Sequence, residues 1–164
     1  METDETVGER AMTPLHPNQV WVLRIRAAIF SLFPIFAFWT LDRSLPPDVP
    51  IAPGLIPAAV VLLALAALIL LPQRRWRAWG YREEEDELHI RHGLWTRIRT
   101  VVPFGRVQHI DVAQGPIERS FGLATLILHT AGTRGASVPL PGLLFDEAER
   151  MRDRIRVKIR QDLA

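Results

Sequence analysis

The chain of 164 residues has no cysteine and a single tyrosine. The missing thiols exclude disulfides, thiolate metal sites and cysteine nucleophiles together, and they are compatible with a reducing cytosol. Charge is also scarce in sum: a net +2 leaves no global field, so any electrostatic function must come from local clusters. There is no Gly-x-Ser-x-Gly elbow, no His-Glu-x-x-His and no Gly-x-x-x-x-Gly-Lys phosphate loop. The expectation is a non-enzymatic protein with no cofactor and no metal ion.

What is present is unevenly spread. Residues 51–71 are 21 consecutive uncharged positions, and at about 1.5 Å per residue a helix of that length crosses the roughly 30 Å hydrocarbon layer. The earlier run, 27–41, is short, but counted from residue 20 it is long enough once Arg24 and Arg26 extend their heads to the interface. Residues 20–72 therefore read as two transmembrane helices, about 20–41 and 51–71, behind a flexible tail over residues 1–19. A signal peptide is disfavoured because no small-x-small site follows residue 41 and a second apolar run comes directly after.

Pro34 and Pro57 read as kinks within these spans, and Gly54 with Ala58 as a small-residue pair for helix contact. The connection 42–50 carries one arginine, whereas Arg24, Arg26, Arg74, Arg75, Arg77 and Arg82 flank the other ends. By the positive-inside rule the protein is multi-pass in the cell membrane with both termini cytoplasmic, and Trp39, Trp76 and Trp79 mark the boundaries.

From Trp76 the apolar period changes to two. Strands are expected near 77–83, 87–92, 94–102, 107–112, 123–130 and 136–140, separated by Pro103 to Gly105, Gly115-Pro116 and Gly132 to Gly135. A helix over 146–163 follows, with Asp146 and Glu149 as its capping pair. Ala148, Met151, Ile155, Ile159 and Leu163 form its apolar stripe, which closes one end of the β domain. Arg150, Arg154, Arg156, Lys158 and Arg160 lie off the stripe.

The stretch "VPFGRVQHIDVAQGPIERSFGLATLILHTAG" carries Pro103, Arg106, Gln108, Gln114-Gly115-Pro116, Arg119, Phe121-Gly122 and Ala131-Gly132. Before it, "DELHIRHGLWTRIRTVVP" looks like a hairpin with Gly93 at the turn. Over residues 20–160 this pattern resembles the bacterial pleckstrin-homology-like family of YdbS type. The resemblance implies a membrane α-helical hairpin followed by a PH-like, partly open antiparallel barrel over 76–164, capped by its C-terminal helix and facing the cytoplasm. It also implies that Pro103, Arg106, Gln108, Gly115, Pro116, Gly122 and Gly132 serve turns and barrel packing. Eukaryotic relatives of the fold bind phosphoinositides with basic residues at the first hairpin loop. Here that loop, residues 83–87, is acidic and would repel phosphate.

The histidines read as rim residues. His89 and His92 fall on opposite faces of a strand, while His109 and His129 stand on different strands and would meet only by accident of register. The acidic run 83–87 reads as a solvated turn with no partner base. The candidate interaction surface is the outward face bearing Arg91, Arg97 and Arg99, together with Arg119 and Phe121 of the loop 116–122. Phe121 either docks a partner or folds into the barrel mouth.

The expected partner is a protein, either another PH-like membrane protein or a second copy of the chain. The alternative is recognition of anionic lipid headgroups by the arginine face or the terminal helix. Nucleic acid is disfavoured, because Glu147, Glu149 and Asp153 interrupt the basic helix and no stacking aromatics accompany it.

Overall fold

A computed structural model of the protein describes residues 12–46, 52–131 and 137–162. Val20–Arg74 forms one compact unit, and the remaining residues form the other.

The first unit is built from two helices, α1 (Gln19–Ser44) and α2 (Leu55–Ala78), with mean hydropathy 1.7 and 2.8. Both are long and apolar enough to cross a membrane, and only 11% and 6% of their apolar windows are buried, so neither is the core helix of a globular domain. Phe30, Phe33, Leu62 and Leu63 all project outward. Two expectations change here. Helix α2 starts at Leu55, which puts Pro57 in the first turn, where its missing N–H breaks no helical bond and no kink is needed. Gly54 lies just before the helix at φ 87°, with its N–H donating to Asp42 Oδ2 of α1 at 2.9 Å, so the small-residue pair begins outside α2. The helix also runs on to Ala78 and so contains Pro72.

Among the described residues the second unit holds six strands, β1 (Gly80–Glu83), β2 (Glu87–His92), β3 (Ile98–Pro103), β4 (Val107–Ala113), β5 (Leu123–Thr130) and β6 (Ser137–Leu144). They make two antiparallel sheets, ordered β1-β2-β3 and β4-β5-β6. Strand β1 starts later than expected because α2 persists through Ala78. Strand β3 starts at Ile98, leaving 94–97 as the hairpin loop after Gly93. Strand β6 continues to Leu144, past Pro141 and a positive-φ Gly142, beside a register shift in β5 between Ala124 and Leu126. The expected turn around Gly132 lies outside the described residues.

Alternation selects the core. Leu88, Ile90 and Val102 of the first sheet, and Leu126, Leu128 and Leu140 of the second, are buried around Phe104, which stands in a 3-10 turn (Phe104–Arg106) between β3 and β4. Helix α4 (Phe145–Asp162) covers them with Ala148, Met151 and Ile155. It begins one residue earlier than expected, so Asp146 is not the cap; with Glu147 it supplies negative charge to the first turn, favourable to the helix dipole. A short helix, α3 (Pro116–Ser120), replaces the expected loop after β4.

The segment expected to be a flexible tail is partly built into this unit. Thr13 pairs with Tyr81 along the outer edge of β1 through bonds of 2.8 and 2.9 Å, the His16 N–H donates to the Gly142 carbonyl at 2.9 Å, and Leu15 joins the core. The driving force is burial of Leu15 together with the unpaired backbone groups of β1. Trp76 and Trp79 likewise differ from the expected boundary markers. The Trp76 indole donates to the Leu15 carbonyl at 3.0 Å, Trp79 stacks on His92 at 4.8 Å, and both pack against the β core.

The lone tyrosine links β1 to α4: the Tyr81 hydroxyl donates to Glu147 Oε1 at 2.8 Å. Burial, then this hydrogen bond and the carboxylate's charge, push the phenol well above its usual range. The raised folded-state pKa means the contribution is complete below the unfolded value of about 10 and is lost as pH rises above it, because the unfolded chain releases the proton first. Thermal unfolding of wild type and Y81F as a function of pH should therefore show a steeper decline above pH 10 (about the unfolded phenol pKa) for wild type. Equal slopes would remove Tyr81 as the alkaline-sensitive group.

Candidate interaction surface

The β2–β3 hairpin concentrates the arginines. Its register pairs Leu88 with Val102 and Ile90 with Thr100 on the core side, and His89 with Val101 and Arg91 with Arg99 on the other. Arg91 and Arg99 are thus direct cross-strand neighbours, an arrangement that costs stability for like charges and is relieved when an anionic group sits between them. Arg97 stands one residue before β3, in the exposed loop. Among the described residues none of the three has a carboxylate partner.

The loop that carries Arg97 also carries Leu94 and Trp95, the latter 92% exposed, and β3 continues with exposed Ile98 and Val101. Sequence reasoning did not single out Trp95. The signal was available: "GLWTR" places a large apolar ring where a turn after glycine calls for polar residues. Gly93 makes the turn at φ 110°, a region side chains rarely enter.

Arg119 and Phe121 lie elsewhere, on the connection between β4 and β5 in the second sheet. Arg119 is exposed and Phe121 half-buried at the end of α3. The residue that turns inward is neither of the two: Glu118 is buried, accepting from the Gly115 N–H at 2.8 Å and from the Thr125 hydroxyl at 3.3 Å. Its carboxylate caps the helix that Pro116 opens.

Pro103 ends β3, the Arg106 carbonyl accepts from Ala131 N–H at 2.9 Å, and the Gln114 side chain donates to the Leu123 carbonyl at 2.9 Å. Gly122 turns at φ 66° into β5, and Gln108 is exposed on β4.

Two expectations about histidine are corrected. His109 and His129 are register partners, with rings 5.6 Å apart, and they hold the two oxygens of Asp111 at 2.7 and 3.1 Å. A register shift between Val107 and His109 aligns them, and no local pattern encodes it. The acidic turn also has a partner base, since His89 Nε2 lies 2.6 Å from Glu87 and 3.6 Å from Glu84. These three residues could offer one ligand atom each within 4.8 Å, while Glu84 also takes Arg82 at 2.6 Å. His89 and His92 do face opposite sides, His92 against Trp79.

A family model for the bacterial PH domain matches residues 28–159. The chain belongs to the bacterial PH domain family. It is similar to the UPF0699 transmembrane protein YdbS of Bacillus subtilis (strain 168), with 35% identity over 102 residues, 62% of this chain and 62% of that protein. It is also similar to the UPF0699 transmembrane protein YdbT of the same organism, with 29% identity over 103 residues, 62% of this chain and 20% of that protein. The matched region thus spans less than two thirds of either relative. No solved structure matches the chain. In this bacterial PH domain the first hairpin turn, Glu83 to Glu87, is acidic, and part of it binds the protein's own cations: Glu83 pairs with Arg154 at 2.7 Å and with Lys158 at 3.7 Å. Exposed Trp95, Arg97 and Arg99 stand instead at the second hairpin.

Proposed function

We propose that this protein is a non-enzymatic, membrane-anchored interaction module. Its two apolar helices span the cell membrane and its PH-like domain binds a protein partner at the cytoplasmic face, either another PH-like membrane protein or a second copy of the chain. The exposed apolar surface of α1 and α2, the names of both relatives and the arginines flanking the helices support the anchor and its orientation. Anchoring raises effective concentration, so a weak contact suffices.

The observation that carries the partner is the β2–β3 tip. An almost fully exposed Trp95 sits beside Arg97 and Arg99, which have no partner among the described residues. Tryptophan and arginine dominate binding hot spots because each combines a large apolar or planar body with directed hydrogen bonding. The test is affinity purification of the full chain from its native host's membranes in mild detergent, beside W95A/R97E/R99E. The expected result is a co-purifying protein whose recovery falls at least about tenfold in the variant, as for the loss of one hot spot. Undiminished recovery would overturn the reading.

Anionic headgroup recognition is the second reading, favoured by the same pairing, since tryptophan and arginine also suit the bilayer interface. Loss of co-purifying anionic lipid, with no protein lost, would select it.

A further inference from the structure

Helix α4 has two charged flanks with different fates. Arg154 and Lys158 lock onto the β1–β2 turn: Arg154 donates to both Glu83 oxygens at 2.7 and 3.2 Å, and Lys158 donates to the Glu84 carbonyl at 3.0 Å. Arg152, Arg156 and Arg160, on the other flank, line a groove of about 440 Å³ against residues 107–110 of β4. Arg152 is held by Glu149 and Asp153 at 2.8 and 3.0 Å. Arg156 and Arg160 have no carboxylate partner among the described residues. The acid on β4, Asp111, is already shared between His109 and His129.

The strand side of the groove is equally unfinished. Residues 107–110 line the groove together, and the register shift between Val107 and His109 leaves Gln108 without a partner on β5, so this stretch of β4 turns an irregular edge towards the groove. In the sheet order, β4 is hydrogen-bonded to β5 alone, so alternate N–H and C=O groups point away from the sheet. Residues 13 and 16 bond to β1 and β6, not to β4.

We infer that this groove binds an acidic, extended polypeptide segment that adds to the free edge of β4 and sets carboxylates against Arg156 and Arg160. Four residues of helix advance about 6 Å, and alternate residues of a strand about 6.6 Å, so carboxylates at positions i and i+2 meet the two guanidiniums in turn. Repulsion between like charges at this helical spacing falls when they are neutralised. Backbone bonds supply affinity and alternate side chains supply selectivity, as in strand addition generally. A lipid headgroup would need cations converging on a point and would leave the strand edge unpaired. Here the cations form a line beside that edge.

The test uses the full chain in phosphatidylcholine nanodiscs and a fluorescein-labelled peptide alternating threonine with glutamate, followed by anisotropy. Saturable binding is expected, weakened at least about tenfold in R156Q/R160Q and to a smaller degree in R160Q, which guards against a folding defect in the double variant. A peptide of the same composition with its glutamates in one block should bind more weakly. No saturable binding, or equal binding by wild type and R156Q/R160Q, would overturn the inference. So would Arg156- and Arg160-dependent binding of soluble glycerophosphoglycerol without peptide binding, which would assign the groove to a headgroup. W95A/R97E/R99E should bind the peptide normally, so failure of the groove and failure of the hairpin-tip reading are seen separately.

Discussion

Replacement of Phe104 by alanine should remove about 3–5 kcal/mol of stability, as truncating a fully enclosed phenylalanine does through lost transfer free energy and the cavity left behind. Phe104 is 0% exposed and is the largest of the fully buried side chains among the described residues. It occupies the turn that ends one sheet and begins the next, and its core neighbours come from both sheets and from α4. Its N–H donates to the Asp86 carbonyl at 2.8 Å, and the Lys158 ammonium stands 5.1 Å from its ring, so turn, hairpin and helix all meet there. Collapse to fill the void would require two sheets and a helix to move together. Thermal unfolding of the full chain in detergent should shift downward by at least about 10 °C. A shift of only one or two degrees, about what a surface substitution gives, would mean that the sheets are not joined through this ring.

Gly93→Ala should abolish partner recovery while leaving the core folded. A Cβ at Gly93 would lie 1.9 Å from the Thr96 carbonyl oxygen, and the backbone there is at φ 110°, so the loop 94–97 must rearrange. Strain of this kind costs about 1–3 kcal/mol, less than the core can absorb before it unfolds. The displaced residues are Trp95 and Arg97, so co-purification should fall as far as in W95A/R97E/R99E. Gly122→Ala is the contrast: its φ is 66°, but nothing lies within 4 Å of the added Cβ, so only backbone strain is introduced, away from the tip. A Gly93→Ala protein that keeps its partner would show that the tip geometry does not matter to binding.

Periodicity made much of this architecture legible before any coordinates. The alternation in β5 and the glycine before it located residues 123–130 without error, and the three-and-four spacing of Ala148, Met151 and Ile155 identified the face of α4 that is buried. Both signals are local, because they arise from the repeat of the backbone itself. Arg91 and Arg99 were placed on one face for the same reason, though only the register made them neighbours.

Contacts between distant segments needed the tertiary structure. Thr13 on the edge of β1, Trp76 on the Leu15 carbonyl and His109 opposite His129 depend on which edge was left unpaired and on where a bulge shifted the register. The burial of Glu118 likewise depends on the Thr125 hydroxyl of β5 meeting its carboxylate beside the Gly115 N–H. Composition and hydrophobic period determined that the chain is an apolar helical pair followed by a six-stranded, helix-capped domain. Packing decided which charges were consumed internally and which were left facing outward, because pairing free energy depends on three-dimensional distance and solvent exposure, neither of which one-dimensional spacing specifies.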